Sequence, residues 1–217
     1  MKKIYAVNGS CRKNFNTAQA LQSALDGAAA AGAETELINL GDYTFSGCRS
    51  CMSCKRIEAI DKTLCMWRDE LTEVLEKLQN ADGIIMGSPV YFGNASGIFR
   101  SFMERLYFPL LRYTDPPASK LATPKQAAMI WTMNVPESMM EEMNYYQELG
   151  RFAEFTQLVF KCDKVDTLYI CDTFQFDDYS RFDADWFDPE YKKSVHEKLF
   201  PQDLEKAFDL GKSMALA

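Results

Sequence analysis

The chain has 217 residues, of which 47% are hydrophobic and 25% are charged, and its formal net charge at pH 7 is -7. This composition excludes wholesale disorder, and the length suits a single α/β domain over residues 1–217. A negatively charged surface attracts neither nucleic acid nor an anionic membrane, so the expected partners are small molecules or proteins.

The amino-terminal stretch "MKKIYAVNGS" contains two lysines and then a short apolar run that stops at Asn8. This run is too short for a signal peptide or a membrane span, so we expect a cytoplasmic protein. Thiols are kept reduced in the cytoplasm. Clustered cysteines are therefore expected to be metal ligands or redox groups rather than disulfides.

Strand and helix patterns alternate along the chain through five rounds. Apolar runs predict strands at 3–10, 34–40, 82–89, 125–133 and 164–171, and helical spacing predicts helices at 16–32, 69–81, 96–111, 136–160 and 201–216. Parallel strands require crossover connections, so this order predicts an α/β fold with a parallel sheet and helices on both faces. Five such units are typical of a flavodoxin-like, doubly wound five-stranded sheet of order 2-1-3-4-5, in which ligands bind beyond the carboxyl ends of the strands.

One segment interrupts this alternation. Residues 172–192, "DTFQFDDYSRFDADWFDPEYK", are acidic and rich in aromatic side chains, and we call them the excursion. The segment can pack on the domain, form a dimer contact or cover a ligand, since aromatic residues are enriched in interfaces. We expect packing or dimerisation rather than catalysis.

The loop "GSCRKNFNTA" follows the first strand and precedes a helix. A helix amino terminus offers free N–H groups and a positive dipole end to an anion. Ser10 and Thr17 add hydroxyls, Asn16 adds an amide, and Arg12 adds a forked cation suited to phosphate. The loop lacks the glycine patterns of dinucleotide and P-loop proteins. It predicts a phosphate cradle, with simple helix capping by Asn16 or Thr17 as the alternative.

The loop "GSPVYFGNASG" follows the third strand. Pro89 restricts the backbone, Gly93 and Gly97 allow close approach, and Tyr91 and Phe92 present aromatic faces. A flat ring system can lie against such a loop, although a tight turn with two packed aromatic side chains has the same pattern. In a 2-1-3-4-5 sheet the first and third strands are neighbours, so both loops are expected to line one crevice.

Four cysteines form a cysteine-rich loop at 47–66. Cys48, Cys51 and Cys54 lie at three-residue intervals, and Cys65 follows after a gap of ten residues. Four soft thiolates suit tetrahedral zinc or an iron-sulfur cluster, and the repeated two-residue gaps favour the cluster. A redox-active thiol pair and purely structural thiols are the remaining alternatives.

These stretches carry a family resemblance. In their order along the chain, "GSCRKNFNTA", "GCRSCMSCK" and "ADGIIMGSPVYFGNASGIFRSFMERL" resemble the NADPH-dependent FMN reductase family, especially its iron-sulfur flavoprotein branch. The resemblance implies an FMN site with a phosphate contact, a ring contact and a weaker contact after the fourth strand. The implied residues are Ser10, Arg12, Asn16 and Thr17 for the phosphate, Pro89, Val90, Tyr91, Phe92 and Gly93 for the ring, and Thr132 with Asn134 for the third contact.

The resemblance also implies a function. It implies an FMN-dependent oxidoreductase that passes electrons from NAD(P)H or a ferredoxin-type donor to an acceptor, within a homodimer or homotetramer. A 4Fe-4S cluster on the four cysteines is implied too, although the final cysteine gap is shorter in the family. The flavin supplies the redox chemistry, so no catalytic side chain is expected. The alternatives are a non-enzymatic flavin carrier or sensor and a zinc-stabilised binding module without flavin.

Overall fold

The computed structural model describes residues 1–217. The strands are β1 (Lys3–Asn8), β2 (Glu34–Asn39), β3 (Gly83–Tyr91), β4 (Asn94–Ala95), β5 (Leu111–Arg112), β6 (Ala118–Ser119), β7 (Gln126–Thr132) and β8 (Asp166–Ile170). The helices are α1 (Asn16–Ala30), α2 (Leu71–Gln79), α3 (Gly97–Leu110), α4 (Tyr145–Phe160), α5 (Pro189–Lys198) and α6 (Phe200–Leu216). None of these helices combines the length and the apolar character that a membrane-spanning helix needs.

Five strands form a parallel sheet in the order β2-β1-β3-β7-β8. This is the predicted 2-1-3-4-5 order, so the flavodoxin-like fold is confirmed. The central strand β3 is buried over its first seven residues, as expected when helices cover both faces of a sheet. Short β4 pairs antiparallel with the end of β3, and β5 and β6 form a separate two-stranded ribbon.

Two apolar layers enclose the sheet. On one face α2, α3 and α4 pack through a core that includes Phe99 and Trp131, whose rings meet edge to face at 5.7 Å. On the other face α1 and α6 pack through a core that includes Leu21. These two helices approach so closely that a Cβ atom on Gly211 would lie 1.7 Å from the carbonyl oxygen of Ala24.

Two predicted boundaries differ from the structure by more than two residues. Helix α4 begins at Tyr145 and not at residue 136, because Asn144 adopts the left-handed backbone conformation with φ of 57° and separates α4 from a short 3-10 turn at Glu137–Met139. The end of the excursion is helical, because Asp188 caps the amino terminus of α5 and Pro189 occupies its first position. Helix α5 therefore begins inside the excursion.

Candidate functional site

Eight of the ten predicted flavin-binding residues line one cavity of about 70 Å³ at the carboxyl edge of the sheet. They are Ser10, Arg12, Asn16, Thr17, Pro89, Val90, Tyr91 and Thr132. The sheet order brings them together, because β1, β3 and β7 are adjacent and end at the same edge. In the β3–β7 pairing, Pro89 lies opposite Thr132.

The first wall of this cavity is the amino terminus of α1. The residue before the helix is Phe15, and no side chain caps the free N–H groups of the first turn. The alternative in which Asn16 or Thr17 caps the helix is therefore wrong. Instead, the side chains of Ser10, Asn16 and Thr17 are buried around the cavity. Uncapped N–H groups beside buried hydroxyl and amide groups form a cradle suited to an anion.

Hydrogen bonds hold the polar side chains of the cradle in place. The Ser10 hydroxyl accepts the backbone N–H of Arg12 at 3.1 Å, and the hydroxyls of Thr17 and Thr132 lie 2.7 Å apart. The guanidinium of Arg12 lies over the ring of Phe15, 3.9 Å from its centroid. This contact leaves the forked N–H donors at the edge of the guanidinium free to bind other groups.

The second wall is the turn after β3. Phe92 and Gly93 both have positive φ angles, 52° and 77°, and they link paired residues Tyr91 and Asn94. Two positive φ angles are typical of a type I′ hairpin turn. The Phe92 side chain is fully exposed, and neither Phe92 nor Gly93 lines the cavity. A bulky residue in the left-handed region is an outlier of the kind often found at functional sites.

Some residues that line the cavity were not predicted to bind flavin, or were only weak candidates. Asn134, the weaker of the two candidates after the fourth strand, lines the cavity, and its Oδ1 atom is buried without a hydrogen-bond partner. The other additions are Phe15, Met133 and the segment Thr173–Gln175. Backbone carbonyls of this last segment bond to the cradle. Main-chain contacts carry no residue signature, so the sequence could not predict them.

The four cysteines of the 47–66 loop line a second cavity, of about 20 Å³, against α3. A space of this size holds about one water molecule. Although all four thiols face it, no group of three or more Cys, His, Asp or Glu side chains in the chain is arranged to hold a metal ion. The donor chemistry therefore fits a soft metal or a cluster, whereas the sulfur positions do not converge on one.

Positive charge surrounds these thiols. The buried Arg105 of α3 donates from Nε to the Cys65 sulfur at 3.0 Å, and Lys120 donates to the carbonyl oxygen of Cys54 at 2.7 Å. Burial raises the pKa of the Cys54 thiol. The backbone N–H of Ser53 lowers the pKa of the exposed Cys51 thiol. Cationic surroundings favour thiolates and anionic thiolate complexes.

The sheet order and the anion cradle beside an aromatic turn define a flavodoxin-like α/β protein with a ligand crevice at its switch point. Residues 2–141 match the sequence model of the family described as NADPH-dependent FMN reductase, and the chain belongs to that family. The resemblance noted from the sequence is thus confirmed.

Individual known proteins agree with this assignment. An iron-sulfur flavoprotein from Methanocaldococcus jannaschii is 39% identical over 103 residues, which cover 48% of this chain and 51% of that protein. The matched region thus spans about half the length of the curated relatives.

Two solved structures share the fold. One is an NAD(P)H:quinone oxidoreductase from Methanothermobacter marburgensis, with a TM-score of 0.72, 13% identity and coverage of 97% of this chain and 98% of that one. The other is an FMN-dependent NADH-azoreductase from Bacillus anthracis in complex with FMN, with a TM-score of 0.67, 11% identity and coverage of 99% and 100%. At these identities the likeness concerns the fold alone.

Proposed function

We propose that the protein is an FMN-dependent oxidoreductase that moves electrons from NAD(P)H or a ferredoxin-type donor to an acceptor. The observation that carries this proposal is the crevice in which eight predicted flavin-binding side chains from three loops meet beside the uncapped amino terminus of α1. Family membership and the FMN complex of a protein with the same fold support it.

The two walls of the crevice bind different parts of FMN in this proposal. Ser10, Arg12, Asn16 and the free N–H groups of α1 hold the phosphate, and Pro89 to Tyr91 support the ring. The cavity of about 70 Å³ is proposed to receive the phosphate. The ring is proposed to lie beside it, against Pro89 to Tyr91. When bound, FMN supplies hydride and single-electron chemistry.

A matched pair of variants tests the phosphate assignment. Arg12 lines the cavity, whereas the neighbouring Lys13 does not and pairs with Asp42. Loss of a charge-assisted hydrogen bond costs roughly 1.5–3 kcal/mol, which is about 10- to 150-fold in affinity. FMN titration followed by flavin fluorescence should show this weakening for Arg12→Met and little change for Lys13→Met. Failure of the wild type to take up FMN would overturn the proposal.

A turnover assay distinguishes an FMN-dependent enzyme from a non-enzymatic flavin carrier or sensor. An oxidoreductase with bound FMN oxidises NADPH, NADH or a reduced ferredoxin at a measurable rate when an acceptor is present. A non-enzymatic flavin carrier or sensor binds FMN but shows negligible turnover with nicotinamide. A colourless preparation that contains zinc would instead support a binding module without flavin.

The cysteine-rich loop is proposed to hold a 4Fe-4S cluster through Cys48, Cys51, Cys54 and Cys65, which supply four soft thiolates. Iron and sulfide are measured after anaerobic reconstitution of the wild type, Cys48→Ser and Cys162→Ser. Cys162 lies outside the loop and serves as the control. Iron content should fall in Cys48→Ser only. Iron that survives this change would show that Cys48 is not an essential ligand.

The surface near the cysteines supports a protein redox partner. Residues 47–68 contain five Lys or Arg and only two Asp or Glu, in a chain whose net charge is -7. Such a basic region favours encounter with an acidic electron-transfer protein.

The exposed ring of Phe92 beside the crevice supports the proposed homodimer or homotetramer. Analytical ultracentrifugation tests this oligomeric state.

A further inference from the structure

The segment Thr173–Gln175, here named the strap, reaches from the end of β8 to the phosphate cradle. Arg12 donates from Nη1 to the carbonyl oxygen of Gln175 at 2.7 Å, and Asn16 donates from Nδ2 to the carbonyl oxygen of Phe174 at 2.7 Å. The cation and the amide of the cradle are thus both oriented by the main chain of the strap. Residues of the strap also line the cavity that the cradle forms.

The beginning of the strap is fastened to the chain that follows β7. The hydroxyl and backbone N–H of Thr173 both donate to the carbonyl oxygen of Met133, at 3.0 and 2.9 Å. The preceding residue, Asp172, forms a buried ion pair with Lys192 and accepts a hydrogen bond from Tyr191. Both of these partners belong to α5, so the excursion supplies its own anchor.

The end of the strap is held by aromatic side chains. Tyr179 is buried, and its hydroxyl accepts the backbone N–H of Gln175 at 3.0 Å. The Phe174 ring packs edge to face on Tyr179 at 5.5 Å and stacks on His196 at 4.9 Å. These contacts determine where the two carbonyl groups point. The aromatic side chains of the excursion therefore hold the strap in place beside the cradle.

We propose that the strap is the closing wall of the phosphate site, and that it retains bound FMN by holding Arg12 and Asn16 in place and covering the phosphate. This inference rests on the proposed FMN site. A binding group that is already oriented loses less conformational freedom when the ligand arrives, so affinity for FMN depends on the strap through the orientation of Arg12 and Asn16. A loosened strap should therefore speed the dissociation of FMN.

The test uses a change outside the cradle. Tyr179→Phe removes the hydroxyl that holds Gln175 and leaves every cradle side chain intact. Tyr113→Phe is the matched control, because Tyr113 is exposed and lies outside the cavity. Loss of one such hydrogen bond corresponds to roughly a two- to tenfold change. We expect Tyr179→Phe to raise the dissociation rate and Kd of FMN by this factor and to leave riboflavin, which lacks the phosphate, almost unchanged.

A second measurement follows the strap directly. Arg181 is exposed in the turn Tyr179–Arg181, next to the strap. FMN, but not riboflavin, should slow tryptic cleavage after Arg181 in the wild type, and less so in Tyr179→Phe. Unchanged or tighter FMN binding by Tyr179→Phe, or an equal loss for riboflavin, would overturn the inference. If the wild type binds no FMN, the proposed function itself fails and the strap inference falls with it.

Discussion

Arg105 is the buried residue whose removal should most weaken the cysteine-rich loop. Its side chain is only 1% exposed, and its donors contact both ends of the loop. The guanidinium forms two bonds to Asp69, at 2.7 and 3.1 Å, and bonds to the carbonyl oxygens of Ser46 and Trp67 at 3.0 and 2.8 Å. With Nε on the Cys65 sulfur, all five N–H donors are used.

The substitution Arg105→Met keeps an unbranched side chain and removes all five bonds. The Asp69 carboxylate, only 17% exposed, is then left without its cation. Breaking a buried ion pair in this way costs about 3–5 kcal/mol. A domain of this kind has a total stability of about 5–15 kcal/mol. The expected loss is therefore a large share of the free energy of unfolding.

The assay is denaturant unfolding of the protein without iron, with Arg68→Met as control. Arg68 also forms an ion pair near this loop, with Glu76, but both side chains are about half exposed. Exposed pairs contribute about 0–1 kcal/mol. Arg105→Lys keeps the charge but loses the fork, so an intermediate loss is expected. A loss below about 1 kcal/mol in Arg105→Met, or one equal to that of Arg68→Met, would refute the reasoning.

Two further predictions concern the core and the thiols. Gly211→Ala should lower the free energy of unfolding by about 3 kcal/mol, because its Cβ would collide with the backbone of α1. Gly150→Ala in α4 should raise this free energy by about 0.5–1 kcal/mol, because the new Cβ meets no neighbour within 4 Å and alanine favours the helix. Thermal unfolding measures both variants, and a loss of stability in Gly150→Ala would contradict the helix argument. Burial raises the pKa of Cys171 to about 12, so this thiol is hardly ionised at pH 8. Iodoacetamide at pH 8 should therefore label exposed Cys11 and leave Cys171 unmodified until the protein unfolds, as mass spectrometry can determine.

The order of the sheet could be predicted from the sequence because apolar strand runs and the helices between them are local patterns. The run from Ile84 to Met86 is apolar on both faces, as only a central strand requires, and helices separate each strand from the next. The boundary of α4 was missed for a local reason. An asparagine that adopts the left-handed conformation, as Asn144 does, also fits a continuous helical pattern.

The candidate sites were predictable only in part. The polar loop before α1 fits either an anion cradle or helix capping when it is taken alone, and its adjacency to the aromatic turn after the third strand favoured the cradle. By contrast, the partnership of Arg105 with Cys65 joins residues forty positions apart, and nothing in the helical pattern of α3 distinguishes an inward arginine. Long-range contacts of this kind depend on packing, which a single sequence does not reveal.

Helix α3 contacts both the crevice at the edge of the sheet and the cysteine cavity. At its amino terminus Ser96 caps the helix and donates to the carbonyl oxygen of Gly9, which ties the aromatic turn to the cradle. Near its middle, Glu104 accepts the backbone N–H of Cys48, and Arg105 donates to the Cys65 sulfur. Arg105 lies nine positions after Ser96, a rise of about 14 Å at 1.5 Å per residue. Because a helix is stiff, the spacing between the crevice and the cysteine cavity within one chain is fixed by α3 rather than by the loops that line them.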